Sequence, residues 1–327
     1  MKKELIKLLR CPFCLREELS FPETGGANMD IKEDEIVDDI REGHIECGSC
    51  GKKFIIKDGI LDLLIKSDSE ILSEQKGWDQ LKEAIVNTDD LMLSLPDALG
   101  EHKSAWKSQA ENFKYMFEKI DLSGKETVLD LASGRCWSTR FFARKGCCAV
   151  GIDILLTKYV GLLTGDIYIQ NEGVYFERVR GNMNELPFRD KIFDIVFVTA
   201  SLHHSSDISI TLKEVYRVLK PMGRLILTNE PVGGFKRIRL DCAEVKAGIN
   251  EHVYRLWTYI RNLRRIGFAY NIYSYMGSYF PVIDKVKNIL SIFLAEKSFY
   301  KKILRPLTFL QLLFFGGILN IIAYKRR

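Results

Sequence analysis

Three groups of residues have types and spacings that could do chemistry. The first is the run Val128-Leu129-Asp130-Leu131-Ala132-Ser133-Gly134-Arg135-Cys136-Trp137, with Asp153 downstream. An apolar run ending in an acid, then a tight bend of small residues, then a helix from about Ser138, is how a first β-strand presents N–H groups and a helix N-terminus to a nucleotide-like ligand. A second apolar run, Ala149-Val150-Gly151-Ile152, ends at Asp153. That acid follows the glycine bend by about 20 residues, where ribose-binding acids stand in such folds. Two carboxylates are thus expected on one crevice.

The second group is Cys11-Pro12-Phe13-Cys14 with Cys47-Gly48-Ser49-Cys50. Each C-x-x-C puts two thiolates on one tight knuckle, and two knuckles close a tetrahedron that suits zinc and leaves no position open for water. Cys11, Cys14, Cys47 and Cys50 are therefore expected to hold a structural metal, with buried free thiols or a redox pair as the alternatives. The third group, His203, His204, Glu230 and His252, could move a proton. Each also has a purely structural explanation. A histidine can pack or cap the next helix, Glu230 can make a loop hydrogen bond, and Asn250-Glu251-His252 reads as an N-cap followed by an acid that suits a helix dipole.

The elements that must position these groups follow from periodicity. From Thr127 onward strand and helix patterns alternate, which predicts an α/β fold, a doubly wound parallel sheet with helices on both faces. Strands are expected at 127–131, 148–152, 176–179, 193–199, 224–229, 268–274 and 318–324. Helices are expected over 104–120, 209–219 and 251–265, the second stopped by Pro221 and Gly223. Trp106, Phe113, Tyr115, Met116 and Phe117 lie on the first helix, where they could pack or line a substrate mouth. Residues 66–100 read as a polar linker with a helix or two, and 23–43 as an acidic extended insert between the two knuckles. Domain boundaries are expected at 1–65, 66–103 and 104–327, with a helical insertion at about 276–315. The window 306–324 carries no charge over 19 residues. Its Gly316-Gly317 break favours a core-facing helix, a turn and a closing strand, while a bilayer-embedded segment or a peripheral membrane contact stays open.

The 327 residues are enough for one large domain and a small one, and 46% hydrophobic content can build a core. Charge is uneven. Residues 1–100 hold 13 Lys+Arg against 22 Asp+Glu, whereas 235–327 hold 17 against 5. That basic tail suits an anionic substrate, nucleic acid or an anionic membrane surface, or is simply a solvated face. Met1-Lys2-Lys3-Glu4 opens an amphipathic run rather than a secretory leader, so an intracellular, cytoplasmic protein is expected, and its eight cysteines then serve metal or core roles before disulfides.

Dinucleotide sites require G-x-G-x-x-G, and Ala132-Ser133-Gly134-Arg135-Cys136-Trp137 has one glycine, which argues against a nicotinamide dehydrogenase. The chain instead resembles class I S-adenosylmethionine-dependent methyltransferases of the ubiquinone-biosynthesis type. The resemblance spans about 105–275 and rests on Val128 to Trp137, on Gly181-Asn182-Met183-Asn184-Glu185-Leu186-Pro187-Phe188 running into Phe193-Asp194-Ile195-Val196-Phe197, on Ser201-Leu202-His203-His204, and on Glu214 to Gly223. It implies a Rossmann-like sheet and S-adenosyl-L-methionine as cofactor. Asp130 and the Ser133, Gly134, Arg135 and Cys136 backbone would hold the methionine moiety and Asp153 the ribose. Asn182 and Met183 would flank adenine, with Thr199 and Ala132 completing the cofactor set. Ala132 and Cys136 stand where the family usually has glycine. Residues 1–65, with Leu8-Leu9-Arg10 before Cys11 and the run from Lys53 to Leu64 after Cys50, resemble the small zinc-ribbon proteins that partner methyltransferases, apart from the acidic insert.

Methyl transfer from a sulfonium needs alignment in a dry pocket more than it needs a base. Where the acceptor is a hydroxyl or amine, His203, His204, Glu230 and His252 are the candidates to take its proton. The expected acceptor is a small molecule, sugar, lipid or secondary metabolite. RNA (tRNA or rRNA) is the alternative substrate, and a non-catalytic methyltransferase partner the alternative role. The sequence leaves the oligomeric state open.

Overall fold

The computed structural model describes residues 1–22, 33–34, 39–65, 69–84, 88–100, 102–235, 242–273 and 309–326. The chain begins with a 3-10 turn, Lys3–Leu8, and the strands Leu19–Ser20 (β1), Glu33–Asp34 (β2), Asp39–Ile40 (β3), Gly43–Cys47 (β4), Lys53–Lys57 (β5) and Ile60–Asp62 (β6). Three helices follow, Ser69–Ala84 (α1), Asp89–Ser94 (α2) and His102–Glu118 (α3). The alternating region comprises Thr127–Leu131 (β7), Thr139–Arg144 (α4), Cys148–Asp153 (β8), Gly165–Glu172 (α5), Glu177–Arg180 (β9), Phe193–Thr199 (β10), Ile208–Val218 (α6) and Leu219–Gly233 (β11). Ala243–Lys246 (α7), Leu256–Ile266 (α8), Phe268–Tyr273 (β12) and Gly316–Lys325 (β13) complete the described elements.

Among the described residues, eleven strands form one sheet in the order β1-β4-β5-β6-β9-β8-β7-β10-β11-β13-β12, and β2 pairs β3 separately. The six strands from β6 to β11 run parallel, while β13 lies antiparallel between β11 and β12. Order reverses between β7 and β10, so the crevice beyond their carboxyl ends is the binding position of a Rossmann-like sheet. Strands β7 and β10 are buried almost throughout, as parallel strands covered on both faces must be. In contrast β5 alternates, with Phe54 and Ile56 inward and its two lysines outward, because one face of the antiparallel flank is wet.

Helix α6 forms where expected. Asp207 accepts from Ser209 N at 2.8 Å as its N-cap, and Ile208, Leu212 and Val215 bury one stripe. One apolar cluster fills each face of the sheet. The first joins Leu5, Leu9, Ile45, Ile56 and Leu61 to Leu129, Val150 and Val179, so the N-terminal segment and the sheet share a core. The second joins Phe113 and Met116 of α3 to Phe142 and Tyr168; Trp106, Tyr115 and Phe117 pack against it.

Several expectations change. Strand β11 extends on both sides of 224–229, since Leu219 pairs with Phe193 of β10 at its start and β13 pairs with it as far as Gly233. The helix expected from Glu251 starts at Leu256, since 251–254 form no regular element, Arg255 is extended and Gly233 N donates to Tyr254 O at 3.0 Å. Asn250 therefore caps no helix. Residues 309–314 are helical and Gly316 opens β13, as the Gly316-Gly317 break suggests, whereas 274–308, and with them most of the expected insertion, lie outside the described residues. The same holds for 23–32 and 35–38 of the acidic insert. No helix among the described residues is long and apolar enough to cross a membrane.

Candidate functional site

The bend after β7 is held from below and from the side. Asp130, at the end of the strand, is 1% exposed; its Oδ2 accepts from Ser138 Oγ at 2.7 Å and Thr139 Oγ1 at 2.6 Å, fixing the start of α4. Its Oδ1 is buried with no protein partner. Burial, only partly offset by the two hydroxyls, pushes the Asp130 carboxyl up to about 7. From the neighbouring strand Asp153 accepts Gly134 N at 2.7 Å through Oδ2 and Leu155 N at 2.8 Å through Oδ1. Burial likewise raises Asp153 to about 6 against these two N–H donors. The bend itself alternates left-handed positions, with φ of 53° at Ala132, 49° at Gly134 and 58° at Cys136. All three are places where glycine would carry no Cβ cost.

A cavity of about 240 Å³ opens above this bend. Of the ten residues expected to hold a cofactor, Ala132, Ser133, Gly134, Arg135, Asp153, Asn182, Met183 and Thr199 line it. Asp130 and Cys136 do not; they lie beneath the bend, both buried. The Arg135 guanidinium sits 5.9 Å from the Trp106 ring centroid, and no carboxylate of the described residues pairs with it. Burial in this wall lowers its pKa from the usual arginine range. Asn182 Oδ1 accepts Asn184 N at 2.9 Å, and Asn229 Nδ2 donates to Thr199 Oγ1 at 3.3 Å, so the polar wall is braced by its own loops.

The proton-transfer candidates separate. His204 lines the cavity, whereas His203 and Glu230 stand behind it. Glu230 has no exposed surface and gathers five donors: Ser201 N and Leu202 N, each at 2.9 Å to Oε1, then His203 N, His203 Nδ1 and Tyr259 Oη, each at 3.2 Å to Oε2. It holds the 3-10 turn Leu202–His204 and does not reach the cavity wall. Burial opposes its charge, but His203 and these N–H groups hold its carboxyl below the usual range. Burial also opposes charging His203, yet Glu230 and Glu251 raise it to about 9. His252 is absent from the wall too, packing against Tyr254.

Sequence reasoning missed the roof. Helix α1 places Glu70, Glu74 and Trp78 on the cavity, and Gln75 Nε2 donates to Ile154 O at 2.9 Å to hold the helix there. The i, i+4, i+8 spacing of Glu70, Glu74 and Trp78 was the available signal inside a segment that read as linker. Asn250 was explained as a cap, but lines the cavity instead.

The two cysteine knuckles meet. Leu15 N donates to Cys11 O and Gly51 N to Cys47 O, both at 2.8 Å, so each knuckle is the same short turn. Cys11 Sγ lies 3.7 Å from Cys50 Sγ and Cys14 Sγ lies 3.6 Å from Cys47 Sγ, with all four sulfurs within 4.8 Å of one another. The edge of a tetrahedron with metal–sulfur bonds of about 2.3 Å is about 3.8 Å. The donor set and spacing fit a closed four-thiolate site.

Comparison with known proteins places the bend in context. Residues 129–227 match the family model described as "Methyltransferase domain". A glycine/sarcosine/dimethylglycine N-methyltransferase of Actinopolyspora halophila is 27% identical over 195 residues, covering 56% of this chain and 34% of that protein. A demethylmenaquinone methyltransferase of Streptomyces avermitilis is 29% identical over 150 residues, covering 46% and 57%. The chain thus spans between about a third and just over half of the length of these curated relatives. Among solved structures, a chain from a Haloferax volcanii complex of a methyltransferase activator and a methyltransferase is 17% identical, with a TM-score of 0.49 over 74% of this chain and all of that one. The strand–bend–helix core at the cavity, residues 129–227, is thus the part of the chain that is similar to methyltransferase domains.

Proposed function

We propose that the chain is an S-adenosyl-L-methionine-dependent methyltransferase acting on a small molecule. The observation that carries this reading is the Asp153 carboxylate clamped to Gly134 N at the floor of a cavity inside the matched segment. Asp130 lies beneath the bend and outside the cavity lining, and would act on the methionine moiety through the bend and the α4 start that it fixes with Ser138 and Thr139. Arg135, cationic and without a carboxylate partner among the described residues, suits the carboxylate of that moiety or an anionic group on the acceptor. Asp153 would take ribose hydroxyls, and Asn182 and Met183 would flank the base. The bound sulfonium supplies the methyl group; the chain's own residues orient it and exclude water under the α1 roof. His204 is the side chain of the three catalytic candidates that would meet the acceptor.

Residues 1–65 are read as a zinc-ribbon unit whose metal is held by Cys11, Cys14, Cys47 and Cys50, followed by the 66–103 connection and the methyltransferase unit from 104. Its role is structural, since four thiolates leave no open coordination position. Support comes from the sulfur spacing and from strand β6, which pairs β9 in parallel at Ile60–Arg178, Leu61–Val179 and Asp62–Arg180.

Calorimetry with S-adenosyl-L-methionine tests the reading, combined with isotope-labelled cofactor added to a cell extract and mass spectrometry of labelled products. Micromolar binding and a labelled small molecule are expected. Label on tRNA or rRNA would replace the substrate class, and no binding at high micromolar cofactor would leave a non-catalytic partner.

A further inference from the structure

Behind the cavity wall, two imidazoles and a carboxylate converge. His203 Nε2 is 3.4 Å from Glu251 Oε2 and His204 Nε2 is 3.8 Å from Glu251 Oε1, the three ligand atoms lying within 4.8 Å of one another. The opposite nitrogens are engaged elsewhere. His203 Nδ1 faces Glu230 Oε2 at 3.2 Å and His204 Nδ1 faces Asn250 O at 2.6 Å. A carbonyl oxygen only accepts, so His204 carries its proton on Nδ1, and the Glu230 carboxylate favours the same tautomer in His203. With both rings in that tautomer each Nε2 faces a Glu251 oxygen, a gap that either a proton on the ring or a metal ion fills.

The charge of the surroundings is compatible with a cation. Glu74, Glu230 and Glu251 surround the two rings, Glu74 Oε1 lying 3.2 Å from His204 Nδ1, and no lysine or arginine among the described residues pairs with any of the three acids. A divalent ion on neutral imidazoles and Glu251 would offset two of these three negative charges, as much as two protons on the rings would. A carboxylate or carbonyl that fixes the far nitrogen of each ligating imidazole is also the usual outer arrangement of a histidine metal site.

We propose that His203, His204 and Glu251 form a second metal site, distinct from the four cysteines, for a divalent transition ion such as zinc or cobalt. Two nitrogens and one carboxylate suit these ions better than calcium or magnesium. Because His204 also lines the cavity, the ion would sit at the cavity's edge with a coordination position free on that side. The site is a binding property and does not rest on the methyl-transfer reading.

The test is a cobalt(II) titration of the full-length protein with its cysteine site already loaded with zinc. One further cobalt per chain is expected, with weak visible absorption and no intense thiolate-to-cobalt band. Two paramagnetically shifted, exchangeable imidazole N–H resonances should appear, from His203 Nδ1 and His204 Nδ1. Glu251→Gln should weaken cobalt binding at least about tenfold, and His204→Gln does the same duty should Glu251→Gln fail to fold. Absence of bound cobalt in the zinc-loaded wild-type protein, or binding unchanged in the variants, overturns the site: a proton rather than a metal then bridges Glu251 to the rings.

Discussion

Gly134 donates its backbone N–H to Asp153 Oδ2 at 2.7 Å, so the acid closing β8 also fixes the bend after β7. The same carboxylate takes Leu155 N, leaving its outward lone pairs for a ligand. Replacing Asp153 by alanine therefore removes a ligand acceptor and orphans two N–H groups. Asp153→Ala is expected to weaken S-adenosyl-L-methionine binding by about 1 to 3 kcal/mol, read by calorimetry. An unchanged affinity would take Asp153 out of the site.

The pH dependence has a definite sign. Burial raises Asp153 to about 6, so as pH falls through that value the carboxylate gains a proton and loses acceptor capacity. Cofactor affinity should drop below about pH 6. The contribution to folding runs the other way: a group whose folded pKa lies above its unfolded value binds its proton more tightly when folded, so this term gains stability as pH falls from 6 toward 4. Binding isotherms at stepped pH, set beside urea melts, should therefore show affinity falling before the fold fails; parallel loss of both would refute the assignment.

Glu230 is expected to behave as a structural acid. Its five donors are left unmatched in Glu230→Ala, which should cost about 3 to 5 kcal/mol in urea unfolding. Glu230→Gln keeps the shape and part of the acceptor set, and should cost less. If Glu230 instead touched the acceptor as a base, the glutamine variant would lose turnover while keeping full stability.

Most of the parallel sheet was legible because β7 and β10 are continuous apolar runs whose ends coincide with turn residues, and α6 carries a cap and a clean stripe. The bend could be read as well, since only a few residue types fit a ligand-facing turn. The place of Glu74 and Trp78 on the cavity was hidden, because a helix polar on its cavity side has the composition of a linker. Glu251 was hidden for the opposite reason. Its position satisfied a local rule, an acid after an Asn cap, and only the long-range pairing of Gly233 with Tyr254 and of Glu251 with two histidines overrides it. The register of β6 on β9 is a contact across more than a hundred residues that local pattern does not encode.

That register makes the thiolate site consequential for the sheet. Leu63 N donates to Arg180 O at 2.9 Å, extending the β6–β9 ladder that begins two strands from Cys47. Cys14→Ala should lose the metal proposed for the cysteine site, measured as zinc released by an organomercurial from wild type but not from the variant. Amide exchange at Arg178 and Arg180 should accelerate with it. Fast exchange confined to residues before Ile60 would show instead that the ribbon and the sheet are energetically separate.

Gly151 offers the most local test of how the strand beneath the bend controls it. The residue sits in the middle of β8, opposite Asp130 in the β7 register, and its backbone is ordinary extended strand, so alanine meets no conformational penalty there. Space is the constraint. A Cβ at position 151 would lie 2.8 Å from Ser133 Oγ and 3.3 Å from Thr139 Oγ1. Ser133 belongs to the bend and Thr139 to the hydroxyl pair that holds Asp130, and both are buried. Relief must therefore come from moving the bend, turning Ser133 or breaking the Thr139–Asp130 bond. Gly151→Ala is expected to lower stability by about 1 to 3 kcal/mol through overpacking and to weaken cofactor binding severalfold, although residue 151 lines no part of the cavity. Ser133→Ala in the same chain removes the closest clash and should restore part of the loss; a double variant no better than Gly151→Ala alone would mean that the strand does not set the position of the bend.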